Sequence, residues 1–455
     1  DNFRHETLKA SSNYILPFGV IQDPMMSSRF ICAVFSCLFL TASCLGGEGN
    51  YYTVNYEPTG REGGLQIGVT HTLWVPRSVK KIRGIIIHQH GCGVGACKSG
   101  ETAAYDLHWQ ALAAKWDCAL LGPSYRQSAD QSCRLWCDPR NGSADVLINS
   151  LKKLAKDARC PEIATAPWCL WGHSGGGFWS SLLQMQYPER IVSIWFQSGT
   201  AYGYWKKGET ESPVIPREAM QIPMIVSPGF KEKEHERFHV AWDYSLAMFH
   251  DYRSQGAPIA FTPDPATGHD TGDSRYLAIP FFDSTLAMRL PDTIGEPLRI
   301  IDQQNAYLAS VESTDPTAAS QFAGDPLKAS WLPDKPFALK WSEFVKTGAV
   351  SDSTSPPEVN SLTTKRTDQG MLVRWEAEAD FESGIQQFLI LRNGKEIGRV
   401  PSVLPKKPYR NLYQGKTYGD TPVAGYSKTE FVDSSGKVTD KYEVISINSV
   451  GLESK

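Results

Sequence analysis

"LWGHSGGGFWSSLLQMQYPERI", residues 170–191, places four glycines within six positions between two apolar runs. Glycine is costly inside a helix or a strand. Residues 168–172, "WCLWG", predict a strand, and 176–187, "GGFWSSLLQMQY", predict a helix. The glycines therefore mark a turn at which backbone must pass close to backbone. Gly172-His173-Ser174-Gly175-Gly176 is a Gly-x-Ser-x-Gly pattern in strand-turn-helix context. That context raises a serine hydroxyl above the carboxyl edge of a sheet. The following helix turns its positive end toward any developing anion. The bland alternative is a glycine-rich turn with an inert serine, and the flanking elements speak against it.

Working outward, strands and helices alternate. Strands are predicted at 84–93, 118–125, 191–199, 222–229 and 258–264. Helices are predicted at 102–116, 143–158 (with Ser143 as N-cap), 234–255 and 274–290. Alternation of this kind implies an α/β fold, with a mostly parallel sheet covered by helices on both faces.

A nucleophilic serine needs a base, an orienting acid and an oxyanion hole. On such a sheet the chain order is serine, acid, histidine. His269, in the turn-rich "PDPATGHDTGDS" after the last strand, is the expected base. His235, His239 and His250 fall on the predicted 234–255 helix as surface or core-edge residues. The acid should follow the strand 222–229. Glu232 stands three past Gly229, with Glu234 and Asp243 as alternatives, or the charge run is a solvated helix start. The oxyanion hole should combine the N–H of Gly175 with that of Cys92, in the loop "GCGVGACKSG". That loop fails as a phosphate loop because Cys97 stands where glycine should precede Lys98-Ser99, and it lacks a dinucleotide fingerprint. No cofactor is expected. His88 and His90 share a strand face but have no evident third ligand, so no metal is expected either.

Residues 60–300 resemble the α/β-hydrolase superfamily. The His90-Gly91-Cys92 loop is similar to that of secreted esterases of the polyhydroxyalkanoate depolymerase and feruloyl/acetylxylan esterase group. The resemblance implies a cofactor-free Ser-His-acid hydrolase, with Ser174 as nucleophile, His269 as base and Cys92 as oxyanion donor. Glu232 departs from the usual aspartate, and His173 with the triple glycine varies the serine box. The expected chemistry is carboxylic-ester hydrolysis through an acyl-enzyme, on a small-molecule, polysaccharide or polyester substrate. Tyr202, Tyr204 and Trp205 lie past a strand end, where they would bind a sugar ring or an aromatic acyl group, or simply pack a loop. Two other readings compete: an inactive binding protein of the cell envelope on a hydrolase scaffold, and a serine peptidase of the same fold.

At 455 residues the chain predicts two domains plus extensions. A net charge of -3 gives no sign of nucleic acid as a partner. Thirteen tryptophans are many, and tryptophan beyond core needs often lines clefts. Met25-Met26-Ser27-Ser28-Arg29 leads into an apolar run, so 1–24 reads as a mis-called extension and 25–47 as a secretory signal. The run Phe30 to Leu40 is too short for a membrane anchor, and lipidation at Cys44 is a lesser alternative. A secreted or envelope location follows as an expectation. Seven cysteines remain beyond the signal, and their clustering suggests bridges Cys92–Cys97, Cys133–Cys137 and Cys160–Cys169, with Cys118 a buried thiol. Zinc competes weakly, since no pair has a two-residue gap.

The hydrolase domain is drawn over 48–345. Residues 291–350, at its end, are either a lid or a passage onward. A linker covers 346–357, and 358–455 reads as a β-sandwich with a strong hairpin turn at Asn393-Gly394. Trp375 on an early strand, Tyr442 on a late one and the closing "NSVGLES" resemble a fibronectin type III module. Such a module could tether the protein to polysaccharide or the cell envelope.

Overall fold

The computed structural model describes residues 49–404, 410–425 and 429–455. The expected extension 1–24, the signal at 25–47 and Cys44 lie outside them. No helix among the described residues is long and apolar enough to cross a membrane.

Eight strands form the central sheet: β1 (Gly49–Tyr56), β2 (Val69–Pro76), β3 (Gly84–Gln89), β4 (Cys118–Tyr125), β5 (Trp168–His173), β6 (Ile191–Gln197), β7 (Met224–Ser227) and β8 (Ile259–Phe261). Their spatial order is β1-β2-β4-β3-β5-β6-β7-β8. From β4 onward all neighbours run parallel, and β1 and β2 extend the sheet in antiparallel fashion. This is the α/β-hydrolase arrangement. The six parallel strands are buried along their whole length, as helix cover on both faces requires. Helices Ser143–Asp157, Gly175–Gln186 and His239–Ser254 contribute to the core on one face. Helices Leu107–Lys115, Arg275–Arg289 and Lys335–Thr347 contribute to the other.

Several expectations are corrected in detail. Ser143 is not the N-cap of its helix. Gly142 takes that position at φ 82, and the Ser143 hydroxyl instead donates to the Trp136 carbonyl at 2.8 Å. Residues 291–350 fold into a small sheet (Tyr307–Ala309, Thr317–Ala318, Ser330–Leu332) and the Lys335–Thr347 helix, whose Phe337, Trp341 and Phe344 join the core. None of these residues lines the cavity at Ser174, so the segment is no lid over it. The tryptophans serve the core. Ten of the thirteen are fully buried, and none lines that cavity.

The C-terminal region forms two antiparallel sheets of three strands each. Asn393 at φ 50 and Gly394 at φ 76 turn the hairpin between Ile385–Arg392 and Lys395–Val400. Both residues thus have the positive φ that a two-residue hairpin turn needs. Trp375, Phe388 and Ile390 pack between the sheets.

This region is not a free appendage. Its segment 410–425 is built into the α/β core. Arg275, at the start of its helix and fully buried, donates to both carboxylate oxygens of Asp106 at 3.0 and 2.7 Å. It also donates to Asp420 Oδ1 at 2.9 Å and to the Asp420 carbonyl at 2.7 Å. Asp106 meanwhile caps the Leu107–Lys115 helix. Asp420 receives the Trp109 indole N–H at 3.3 Å, and His88 Nε2 lies 3.6 Å away. Burial works against a charge on Asp420, but Arg275, His88 and Lys416 outweigh it and hold the carboxyl well below the usual range. A cavity of about 550 Å³ lies between the two regions, lined in part by Trp74, Leu107 and Phe381, and shares no lining residue with the one at Ser174.

Candidate active site

Ser174 sits between β5 and the Gly175–Gln186 helix with φ 52 and ψ -111, a conformation a non-glycine residue rarely adopts. Two backbone hydrogen bonds hold it there. Its N–H donates to the Gln197 carbonyl at 2.8 Å, and its carbonyl accepts from Phe178 N–H at 3.0 Å. Gly176 answers the question posed by the glycine run. A Cβ there would lie 2.5 Å from the Gln89 carbonyl oxygen on β3, so only glycine lets the helix approach the sheet this closely.

Glu232 ends the short helical turn Phe230–Glu232 after β7, and His269 lies in the loop after β8. Backbone bonds join these two loops: Phe230 N–H to the Asp264 carbonyl at 2.8 Å, and Lys231 N–H to the Thr267 carbonyl at 3.0 Å. Gly229 permits the approach, since a Cβ there would meet the Gly268 carbonyl oxygen at 2.1 Å. The side chains then line up. Glu232 Oε1 lies 2.5 Å from His269 Nδ1, and His269 Nε2 lies 2.9 Å from Ser174 Oγ. The second Glu232 oxygen accepts from Gly229 N–H at 3.1 Å. Glu232 is fully buried. Burial raises its carboxyl above the usual range, and the His269 contact offsets this only in part. Glu234 is exposed. His235 and His239 are exposed on or beside the next helix, as is His250.

Cys92 and Gly175 are neighbours. The Cys92 backbone N lies 3.4 Å from the point at which a Gly175 side chain would begin. The loop carrying Cys92 is held by His90, whose Nε2 accepts from Tyr125 N–H at 3.2 Å, while Nδ1 lies 2.7 Å from the Gly91 carbonyl. These two contacts select one neutral tautomer, and burial lowers the imidazole pKa to about 4. His88 is stacked on Trp171, and His90 is turned toward Tyr125 and Trp136, so the two do not converge on a metal position.

The expected disulfide pairing is overturned. Cys92 bonds Cys133, with Cα atoms 5.6 Å apart. Cys97, Cys118, Cys137, Cys160 and Cys169 are free thiols. Two of the expected pairs are turned apart by the fold: Cys97 faces the Gly91 carbonyl and Gln127, and Cys169 sits inside β5 against Ser193. Cys137 stays beside the bridge, its Sγ within 4.8 Å of those of Cys92 and Cys133, but Cys133 is already bonded to Cys92. The bridge instead joins the loop after β3 to the loop after β4, across the Ser174 cavity.

That cavity measures about 270 Å³. Of the three aromatics expected to bind substrate, only Tyr204 lines it. Tyr202 is buried with its hydroxyl bonded to Asp251, and Trp205 is buried in the core. Two aromatic neighbours of His269 carried no readable signal. Phe238 stacks flat on its imidazole, centroids 3.8 Å apart and 3° from parallel. The Tyr418 hydroxyl donates to the His269 carbonyl, and its ring meets His173 edge-on at 5.0 Å. Phe238 lies in the charge run after β7, and Tyr418 is contributed by the C-terminal region, about 150 residues away.

No family model matches the chain, and no curated protein matches it. Solved structures similar to it include an S-formylglutathione hydrolase from Agrobacterium tumefaciens, 14% identical, covering 53% of this chain and 94% of that one, with a TM-score of 0.35. A poly(3-hydroxybutyrate) depolymerase from Bordetella parapertussis is 14% identical over 54% of this chain and 92% of its own, with a TM-score of 0.36. Candida antarctica lipase A in its closed state is 12% identical over 56% and 82%, also with a TM-score of 0.36. The fold is defined by the strand order and the Ser174 turn, and no activity is transferred from these proteins.

Proposed function

We propose that this chain is a serine hydrolase that cleaves carboxylic esters through an acyl-enzyme on Ser174. One observation carries the reading: an unbroken hydrogen-bonded chain from buried Glu232 through His269 to Ser174, at a strained strand-to-helix turn. In this mechanism His269 Nε2 takes the Ser174 proton as Oγ attacks the ester carbonyl. The N–H groups of Gly175 and Cys92 stabilise the oxyanion. His269 then protonates the departing alcohol. Water, deprotonated by the same imidazole, releases the acid and restores Ser174. Glu232 holds the imidazole with Nδ1 protonated and stabilises its transient cation. A cavity of about 270 Å³ suits a small ester or one unit of a polymer. The Cys92–Cys133 bridge supports an exported protein, because disulfides persist in oxidising compartments.

The test is hydrolysis of 4-nitrophenyl butyrate alongside labelling by a fluorophosphonate probe. Ser174→Ala should lower turnover by at least about 10⁴-fold and abolish labelling. Wild-type turnover by Ser174→Ala would sink the mechanism. A wild-type protein that neither labels nor turns over would favour the inactive binding protein, and amide cleavage of short peptides would favour a peptidase.

A further inference from the structure

We propose that the Ser174 site takes esters bearing a carboxylate group, and that Arg134 binds that carboxylate. The proposal rests on the ester-hydrolase reading above. Arg134 and Arg237 both line the Ser174 cavity, and no aspartate or glutamate does. The acid nearest the reacting atoms, Glu232, is engaged behind His269.

Arg134 differs from the other deeply set arginines. Arg275 is met by two carboxylates. Arg289 donates to the carbonyls of Ile191 and Val192, Arg253 to those of Ala329 and Ala257, and Arg190 to those of Ala164 and Ala166. The Arg134 guanidinium has no ion pair and no hydrogen bond among the described residues, and its Nη1 is buried without a partner. Leaving a buried charged donor unsatisfied is costly unless something arrives to meet it.

What holds Arg134 in place is aromatic. Its guanidinium carbon lies 3.7 Å from the Phe178 ring centroid and 4.3 Å from that of Tyr204. The two rings stand 5.7 Å apart and 62° from parallel, so they pack around the guanidinium without supplying an acceptor atom. Its unpaired N–H groups match a carboxylate.

The position is fixed relative to the nucleophile by two links. The neighbouring residue, Cys133, is bonded to Cys92 of the proposed oxyanion loop. Phe178 lies one helical turn beyond Ser174, about 6 Å along the axis. A carboxylate on Arg134 would therefore sit several bonds from a carbonyl at Ser174. Arg237 is exposed at the mouth of the cavity, against Phe238 and without an ion pair among the described residues, where it would attract the same anion.

The test compares charged and neutral partners with the full-length protein. On the acyl side, mono(4-nitrophenyl) adipate is set against 4-nitrophenyl 6-oxoheptanoate. On the leaving-group side, 4-(butanoyloxy)benzoate is set against its methyl ester. Wild-type kcat/KM should favour the anionic member of one pair by about tenfold or more, and Arg134→Gln should lower that preference by about tenfold. The pair that responds tells which side of the ester carries the charge. Should the variant fail to fold, free adipate should inhibit wild-type hydrolysis of the neutral esters and adipamide should not. If neutral esters turn over with no anionic preference, or the preference survives in Arg134→Gln, the carboxylate proposal falls and the ester reading stands. If no ester of either pair turns over, both fall.

Discussion

Glu232 shows how much one side chain settles. Nothing in the charge run "FKEKEHERF" separates it from Glu234 except its distance from the end of the strand. In the fold it is fully buried and lies 2.5 Å from His269, whereas Glu234 points to solvent. Glu232→Gln presents an amide N–H where the imidazole needs an acceptor, so the histidine turns to the wrong tautomer. We expect kcat to drop by roughly 10²–10⁴-fold, while Glu234→Gln stays within a few-fold of wild type. Equal losses in the two variants would remove Glu232 from the role. At this scale the sequence was readable where chain order constrains position, as for Ser174, Glu232 and His269, which the fold brings together. It was unreadable where a residue matters only through a distant neighbour. Arg134, Phe238 and Tyr418 belong to that second kind, and so do Tyr202 and Trp205, which the fold directs inward.

The elements were legible where burial left an unbroken apolar run in the sequence. β3, β5 and β6 are covered on both faces, so they appear as continuous apolar runs. β1, at the sheet edge, mixes buried and exposed positions without a regular period and gave no comparable signal, and β2, though nearly all buried, is interrupted by Thr70, His71 and Thr72. Several of these elements also bury histidines. Burial lowers His71 on β2 to about 3, and His90 after β3 and His108 on its helix to about 4. His173 at the end of β5 is driven well below its ordinary value. An imidazole depressed in the fold contributes stability that is present above its unfolded pKa of about 6.5 and is lost as pH falls toward the folded value. Three carboxyls act in the opposite direction: burial raises Asp264 to about 6 and raises Glu232 and Asp380, so they favour the fold as pH falls. The four strongly depressed histidines should outweigh them and leave a net loss. Urea unfolding at pH 5 should therefore give a free energy several kcal/mol below that at pH 7, at about 1–2 kcal/mol per histidine. Equal or greater stability at pH 5 would contradict this account.

Across the whole molecule, the sequence suggested two domains and a linker, and past residue 358 the described chain runs in short antiparallel strands. What it did not disclose is the junction. An ion pair between Arg275 and Asp420 has no local pattern, because its partners stand 145 residues apart. Asp420→Asn would leave Arg275 with Asp106 alone in a site without solvent. Removing one member of a buried pair typically costs about 3–5 kcal/mol. The Asp420 carboxyl, held low in the fold, contributes stability that is present above its unfolded value and lost as pH falls below about 4. Asp420→Asn should thus melt well below wild type at neutral pH, and the gap should narrow in acid. A gap that is absent at pH 7, or that widens in acid, would show that the pair is not holding the two regions together.

Arg275 also sets a clock. A ribosome adds roughly 5–20 residues per second. The arginine therefore leaves it roughly 7–30 s before the aspartate that will seal it in. During that interval the nascent α/β half carries a cation it cannot finish burying, and the backbone behind His269 waits for the tyrosine that will brace it.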